Sequence, residues 1–224
     1  MDLELTVSAS ADAASRGAAE LLAQAAGRGG HIALSGGSTP GPAYELAAKL
    51  EPDWSRTELW FADDRCVEPD DERSNYRLVK ERLLDLLERQ PPAQHRVLGE
   101  LPPEQAAERY DSELQGVSLD LVMLGIGADG HTASLFPNDA ALEERERRAV
   151  AVHRPDVDRV TMTLPVLRSA PSVVFLVNGR DKAPAVARAF GDINDPATPA
   201  SLVRSERGVT YAFLDRAAAT HLLT

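Results

Sequence analysis

The chain has 224 residues, 43% hydrophobic and 26% charged, the balance of a globular protein long enough for a substantial core. Its net charge of −11 argues against a general nucleic-acid surface, and no run of 18 apolar residues is present to span a membrane. The N-terminus lacks a basic segment followed by an apolar run, so no signal peptide is expected, and the lone cysteine, Cys66, excludes an intramolecular disulfide, which fits a reducing compartment.

In chain order, apolar and alanine positions recur with helical spacing over residues 9–26, and Gly27-Arg-Gly-Gly30 ends that helix. A strand follows at 31–35, then a Gly36-Gly37 turn and a helix to about 50 with Pro40 near its first turn. Residues 57–62 read as a strand, 63–71 as a polar loop, and 74–87 as a helix capped by Ser74 or Asn75. Val97 and Leu98 suggest a short strand, Pro102-Pro103 opens a helix to about 115, and 119–124 is an apolar strand. Strands at 149–153 and 159–163 flank a Pro155-Asp156 turn. A buried-type strand at 173–177, a helix at 181–190, a loop at 191–199, a strand at 209–214 and a helix at 216–222 complete the chain. This alternation predicts an α/β protein, a mostly parallel sheet with helices on both faces, as one domain over 1–224.

Chemistry concentrates where predicted strands end. Ser35, Gly36, Gly37, Ser38 and Thr39 lie between a strand and a helix start, where backbone N–H groups, hydroxyls and the helix dipole suit a phosphate. The loop is neither a Walker A sequence nor a G-x-S-x-G elbow. Asp63, Asp64 and Arg65 follow the next strand, where an acid can orient a base and Arg65 can clamp an oxyanion. Cys66, beside Arg65, reads first as a small buried thiol. The third site, Gly125-Ile-Gly-Ala-Asp-Gly-His-Thr-Ala-Ser-Leu-Phe-Pro137, sets the titratable His131 among glycines. Gly125, Gly127 and Gly130 also fit the dinucleotide fingerprint, but the segment after them carries Glu143, Glu144 and Glu146 with no second strand before an acid. Arg159 opens a predicted strand. Lys182 sits near a helix start, against the macrodipole, which suggests a nearby anion. The five histidines show no metal-ligand spacing.

Three blocks, Leu34-Ser-Gly-Gly-Ser-Thr-Pro40, Trp60-Phe-Ala-Asp-Asp-Arg-Cys66 with Ser74-Asn-Tyr76, and the His131 segment, resemble the signatures of the 6-phosphogluconolactonase family. Arg159-Val-Thr-Met-Thr-Leu-Pro165 and Asn178-Gly-Arg-Asp-Lys182 match further blocks, in family order. The resemblance implies a modified Rossmann-type sheet and hydrolysis of 6-phospho-D-glucono-1,5-lactone to 6-phosphogluconate, the second step of the oxidative pentose phosphate pathway. It implies no metal or organic cofactor, and the implied pathway, with the missing signal, points to a cytoplasmic location. The partner is then a small phosphosugar lactone, with neither nucleic acid nor membrane, and the protein a monomer or small homo-oligomer. Two positions depart from the family: Asp64 stands where Glu is usual, and Arg168 where Asn is frequent.

On this reading His131 takes a proton from the attacking water, and Asp63 holds either the imidazole or that water. Arg65 or backbone N–H groups of residues 125–130 meet the oxyanion. The phosphate sits on residues 35–39 with Arg159 and Lys182, and Asp129 and Gly130 are counted with the substrate-binding residues. The related glucosamine-6-phosphate deaminases carry a glutamate five residues after the histidine. Here that residue is Phe136, and loss of an acid or base costs about 10²–10⁴-fold, so a poor deaminase is expected. A phosphosugar sensor without turnover is a further alternative.

Overall fold

The computed structural model describes residues 2–222. Seven strands, β1 (Asp2–Ser8), β2 (Gly30–Leu34), β3 (Thr57–Phe61), β5 (Ala93–His95), β6 (Leu121–Leu124), β9 (Ser172–Val177) and β10 (Val209–Asp215), form one wholly parallel sheet in the order β1-β10-β9-β6-β2-β3-β5. A second, antiparallel sheet joins β4 (Asp63–Arg65), β8 (Arg159–Met162) and β7 (Ala149–Val152).

The inner strands β6 and β9 are apolar at consecutive positions because both faces are covered. Along β6, Leu121 and Met123 pack into one core and Val122 and Leu124 into the other. Helices α1 (Ala11–Arg28), α2 (Gly41–Leu50) and α3 (Asn75–Arg82) contribute Leu22, Tyr44 and Val79 to the first core. Helices α4 (Pro103–Leu114), α5 (Leu164–Ser169) and α6 (Ala183–Ala189) supply Tyr110, Leu167 and Val186 to the second. Helix α1 starts where the Ser10 hydroxyl accepts the Ala13 N–H at 3.2 Å, and ends at Gly29, whose φ of 83° leaves the helical region.

Several expectations are corrected. The polar loop at 63–71 begins with a strand, because the backbone of 63–65 pairs with β8. The strand expected at Val97-Leu98 lies instead at β5, where polar residues pair with β3 as a sheet edge and show no apolar alternation. Residues 216–222 form turns and no helix. The helix expected over 74–87 ends at Arg82 and a 3₁₀ turn, Leu84–Leu86, follows; that expected over 181–190 is a 3₁₀ turn, Arg180–Lys182, followed by α6. Strand β1 and helix α5 were not anticipated, although the alternation of Leu3, Leu5 and Val7 marks the former.

This order places a topological switch at β2 and β6. From β2 the chain builds outward through β3 and β5, and from β6 through β9 and β10, so the loops leaving β2 and β6 diverge and open a crevice at their carboxyl ends.

Candidate active site

The crevice is lined by Ser35–Pro40 after β2, Asp63 and Arg65 after β3, Asn75 at the start of α3, Gly125–Gly127, His131 and Ala133 after β6, and Leu176, Val177 and Lys182 at and beyond the end of β9. Four loops distant in sequence thus meet in one cleft.

The loop after β6 folds on itself. Gly127 N–H donates to the His131 carbonyl at 2.8 Å, Gly130 N–H to the Gly127 carbonyl at 2.9 Å, and the Thr132 hydroxyl to the Gly125 carbonyl at 2.8 Å. Two of the backbone N–H groups considered for an oxyanion are therefore committed within the loop. His131 Nδ1 lies 2.6 Å from Asp129 Oδ1. Burial alone would push the Asp129 carboxyl up, but the His131 N–H and the facing imidazole hold it below the usual carboxylate range. An ionised Asp129 is an acceptor only, so Nδ1–H is the donor of this pair, and in the neutral imidazole Nε2 is then the acceptor. Asp129, which does not itself line the cleft, thus orients the imidazole, a task considered above for Asp63. Gly127 is required sterically: a Cβ there would stand 2.1 Å from His131 Nδ1 and 2.6 Å from Asp129 Oδ1. Phe136 packs beside the imidazole, with ring centroids 4.7 Å apart.

Asp63 is buried, and its carboxylate accepts from the Ser134 hydroxyl at 2.7 Å and from Asn75 Nδ2 at 3.2 Å. Its neighbour Asp64 points the other way. It accepts the N–H groups of Arg65, Asn75 and Tyr76 at 2.8, 2.6 and 3.0 Å and caps the start of α3. Burial pushes its carboxyl up to about 6 against those donors. The unusual aspartate at position 64 therefore belongs to the scaffold and stands apart from the cleft lining.

The cationic residues divide. Arg65 and Lys182 line the cleft. Arg65 donates through Nη1 to the Arg73 carbonyl, while its buried Nε has no partner. Ser35 Oγ is likewise buried and unpaired, although its own carbonyl accepts the Tyr44 hydroxyl at 2.6 Å. Buried polar atoms left unpaired are costly, so both suit a polar ligand in the cleft. Lys182 is set by Gly179, which has φ 100° and whose N–H the Asp215 carboxylate accepts at 3.1 Å. Arg159 is not among the lining residues. It sits opposite Arg65 across the β4–β8 pair, gripped by Asp156 at 2.7 and 3.1 Å, with its guanidinium 5.3 Å from the Phe136 ring. Gly130, at φ 97°, turns the loop just before His131 and does not line the cleft. Gly36, Gly37, Ser38 and Thr39 do, with Gly37 at φ 97°.

Cys66 is half-buried and its thiol is pushed up to about 11, chiefly by burial, so no reactive thiolate is held there. Asn75 and Ser134 were missed as site residues. Asn75 stood inside a recognised block with no signal beyond its helix-capping position. Among the described residues no group of three His, Cys, Asp or Glu is placed to hold a metal, and no helix is long and apolar enough to cross a membrane.

The profile of the family described as glucosamine-6-phosphate isomerases/6-phosphogluconolactonase matches residues 5–212. The chain is 40% identical over 211 residues to a human 6-phosphogluconolactonase, covering 86% of this chain and 80% of that protein. It is 36% identical over 202 residues to the Nostoc enzyme of the same name, covering 85% and 84%. The crystal structure of a 6-phosphogluconolactonase from Thermotoga maritima superposes with a TM-score of 0.79 at 29% identity, over 96% of this chain and 99% of that one. A monomeric glucosamine-6-phosphate deaminase shares the fold, with a TM-score of 0.85 at 20% identity, covering 99% of this chain and 100% of that one. With its parallel sheet, its cleft at the switch point and these relatives, the chain belongs to the glucosamine-6-phosphate isomerase/6-phosphogluconolactonase family.

Proposed function

We propose that this protein is a 6-phosphogluconolactonase that hydrolyses 6-phospho-D-glucono-1,5-lactone to 6-phosphogluconate, with His131 as general base. The observation that carries the reading is the Asp129–His131 pair, which leaves Nε2 as a proton acceptor in a cleft that also holds Arg65 and Lys182. Nε2 takes a proton from water as the water oxygen bonds to the lactone carbonyl carbon. Asp129 stabilises the imidazolium that results. Arg65, whose Nε is unpaired, faces the oxyanion or the phosphate. The tetrahedral intermediate then breaks its bond to the ring oxygen, which receives the proton back from Nε2, and the opened chain carries a carboxylic acid that loses its proton to water to give 6-phosphogluconate. Asp63 holds the attacking water.

The 6-phosphate sits on Ser35–Thr39 at the start of α2 with Lys182. Fixing it there uses remote binding energy to orient the carbonyl. In this reading Arg159 supports the site from behind Phe136 and does not touch substrate. A lactone is an activated ester, so the reaction draws on no resident metal or organic cofactor, and turnover should survive chelator treatment. The deaminase reading is disfavoured because Phe136, beside His131, has no proton to transfer.

The test is hydrolysis of freshly generated lactone, read through a coupled dehydrogenase with the spontaneous rate subtracted. His131→Ala should lower kcat by about 10²–10⁴-fold. Equal turnover in the variant and the wild type would remove His131 as the base, and acceleration of glucosamine 6-phosphate deamination instead would overturn the substrate.

A further inference from the structure

We propose that Asn75, together with Ser134, is a positioning residue that sets the Asp63 carboxylate for lactone hydrolysis; this rests on the reading of Asp63 as a group of the reaction. Asp63 is only 6% exposed, and both of its carboxylate oxygens are occupied. Oδ2 accepts the Ser134 hydroxyl at 2.7 Å, and Oδ1 accepts Asn75 Nδ2 at 3.2 Å. The same Nδ2 donates to the Asp63 backbone carbonyl at 2.8 Å, so one amide grips the residue at two points and fixes its rotamer.

The choice of donors matters. A buried carboxyl group needs hydrogen-bond partners. A cationic partner would provide them but cancel the field Asp63 exerts on water in the cleft. An amide and a hydroxyl are neutral donors, so they satisfy and orient the carboxyl oxygens without placing a counter-charge on them.

Asn75 is itself fixed from three sides. It is the first residue of α3, its N–H is held by Asp64 at 2.6 Å, and its amide oxygen abuts the Gly36 backbone so closely that a Cβ on Gly36 would lie 1.8 Å away. Ser134 comes from the loop that carries His131, with its N–H donating to Thr161 Oγ1 at 3.2 Å. Asn75 and Ser134 therefore join the candidate phosphate loop, the acid and the base loop through one carboxylate.

The experiment is steady-state lactone hydrolysis by wild type, Asn75→Ala, Ser134→Ala, Asp63→Ala and the Asn75→Ala/Asp63→Ala double variant, with thermal melts of each. Loss of positioning should lower kcat about ten- to a hundredfold in Asn75→Ala and leave KM within about threefold. In the Asp63→Ala background the same substitution should change kcat by less than about twofold, since it acts only through Asp63. Wild-type kcat in Asn75→Ala, or an equal fall with and without Asp63, would overturn the proposal. If Asp63→Ala alone keeps wild-type turnover, the role of Asp63 itself falls. Should Asn75→Ala not fold, Ser134→Ala in the same cycle reads the other oxygen, and a fall in kcat that persists without Asp63 refutes the proposal equally.

Discussion

Replacing Gly127 with alanine should disable the base while leaving the fold intact. Gly127 does not adopt a positive φ, so alanine brings no backbone strain. The added Cβ, however, would stand 2.1 Å from His131 Nδ1, 2.2 Å from Cε1 and 2.6 Å from Asp129 Oδ1, against an ordinary contact of at least 3.4 Å. The imidazole must move by more than 1 Å, and it has room to do so because its side chain is 35% exposed. A displacement of that size costs about 100-fold in rate, or ~2.7 kcal/mol of transition-state stabilisation. The lactone assay should then show kcat reduced by about two orders of magnitude, KM little changed and the melting temperature close to wild type. Gly125→Ala is the contrast: nothing lies within 4 Å of its Cβ and the residue lines the cleft, so KM should rise while kcat is largely kept. Wild-type kcat in Gly127→Ala would refute the assignment of the Asp129–His131 pair as the working base.

Two further outcomes follow from charge. Lys182→Ala should raise KM about ten- to a hundredfold, the equivalent of one charge-assisted contact, with a smaller effect on kcat; an unchanged KM would move the phosphate elsewhere. Its wild-type KM should also climb with ionic strength, since the cleft is open to solvent. Burial pushes the Asp64 carboxyl up to about 6 in the fold from 3.8 as a free side chain, so the stability gained from its protonation is complete below about pH 4 and lost as pH rises through about 6. Melting of wild type against Asp64→Asn across pH 4–7 should show the wild type losing up to ~3 kcal/mol relative to the variant as pH rises; a flat difference would contradict the burial of that carboxyl.

The elements that could be read from the chain were those whose pattern is local. The 3.6-residue spacing of Ala14, Ala18 and Leu22 and the unbroken apolar runs of β6 and β9 report their own burial, because a helix face or a twice-covered strand imposes its period on the residues that fill it. Short or polar elements escaped: β4 and β5 have three residues each and are strands only because a neighbour supplies hydrogen bonds, and the stretch 216–222 has helical composition but forms turns.

The same division runs through the site. Its chemical inventory, with His131 among glycines, Asp63 and Arg65 after a strand, a small-residue loop before α2 and Lys182, was present in the sequence because glycine, hydroxyl and titratable residues cluster where a ligand approaches backbone. Which acid serves which group was not. Asp129 rather than Asp63 meets the imidazole because the loop closes through Gly127 and Gly130, and spacing alone does not say which way a side chain points from such a turn. Arg159 turns back to Asp156, three residues before it, and Asn75 reaches Asp63 from a helix twelve residues away, through a contact that exists only once β4 and α3 are packed together. Sequence set the chemistry and the local periods; packing decided partner and direction, because hydrogen bonds between distant segments depend on where the whole chain places them.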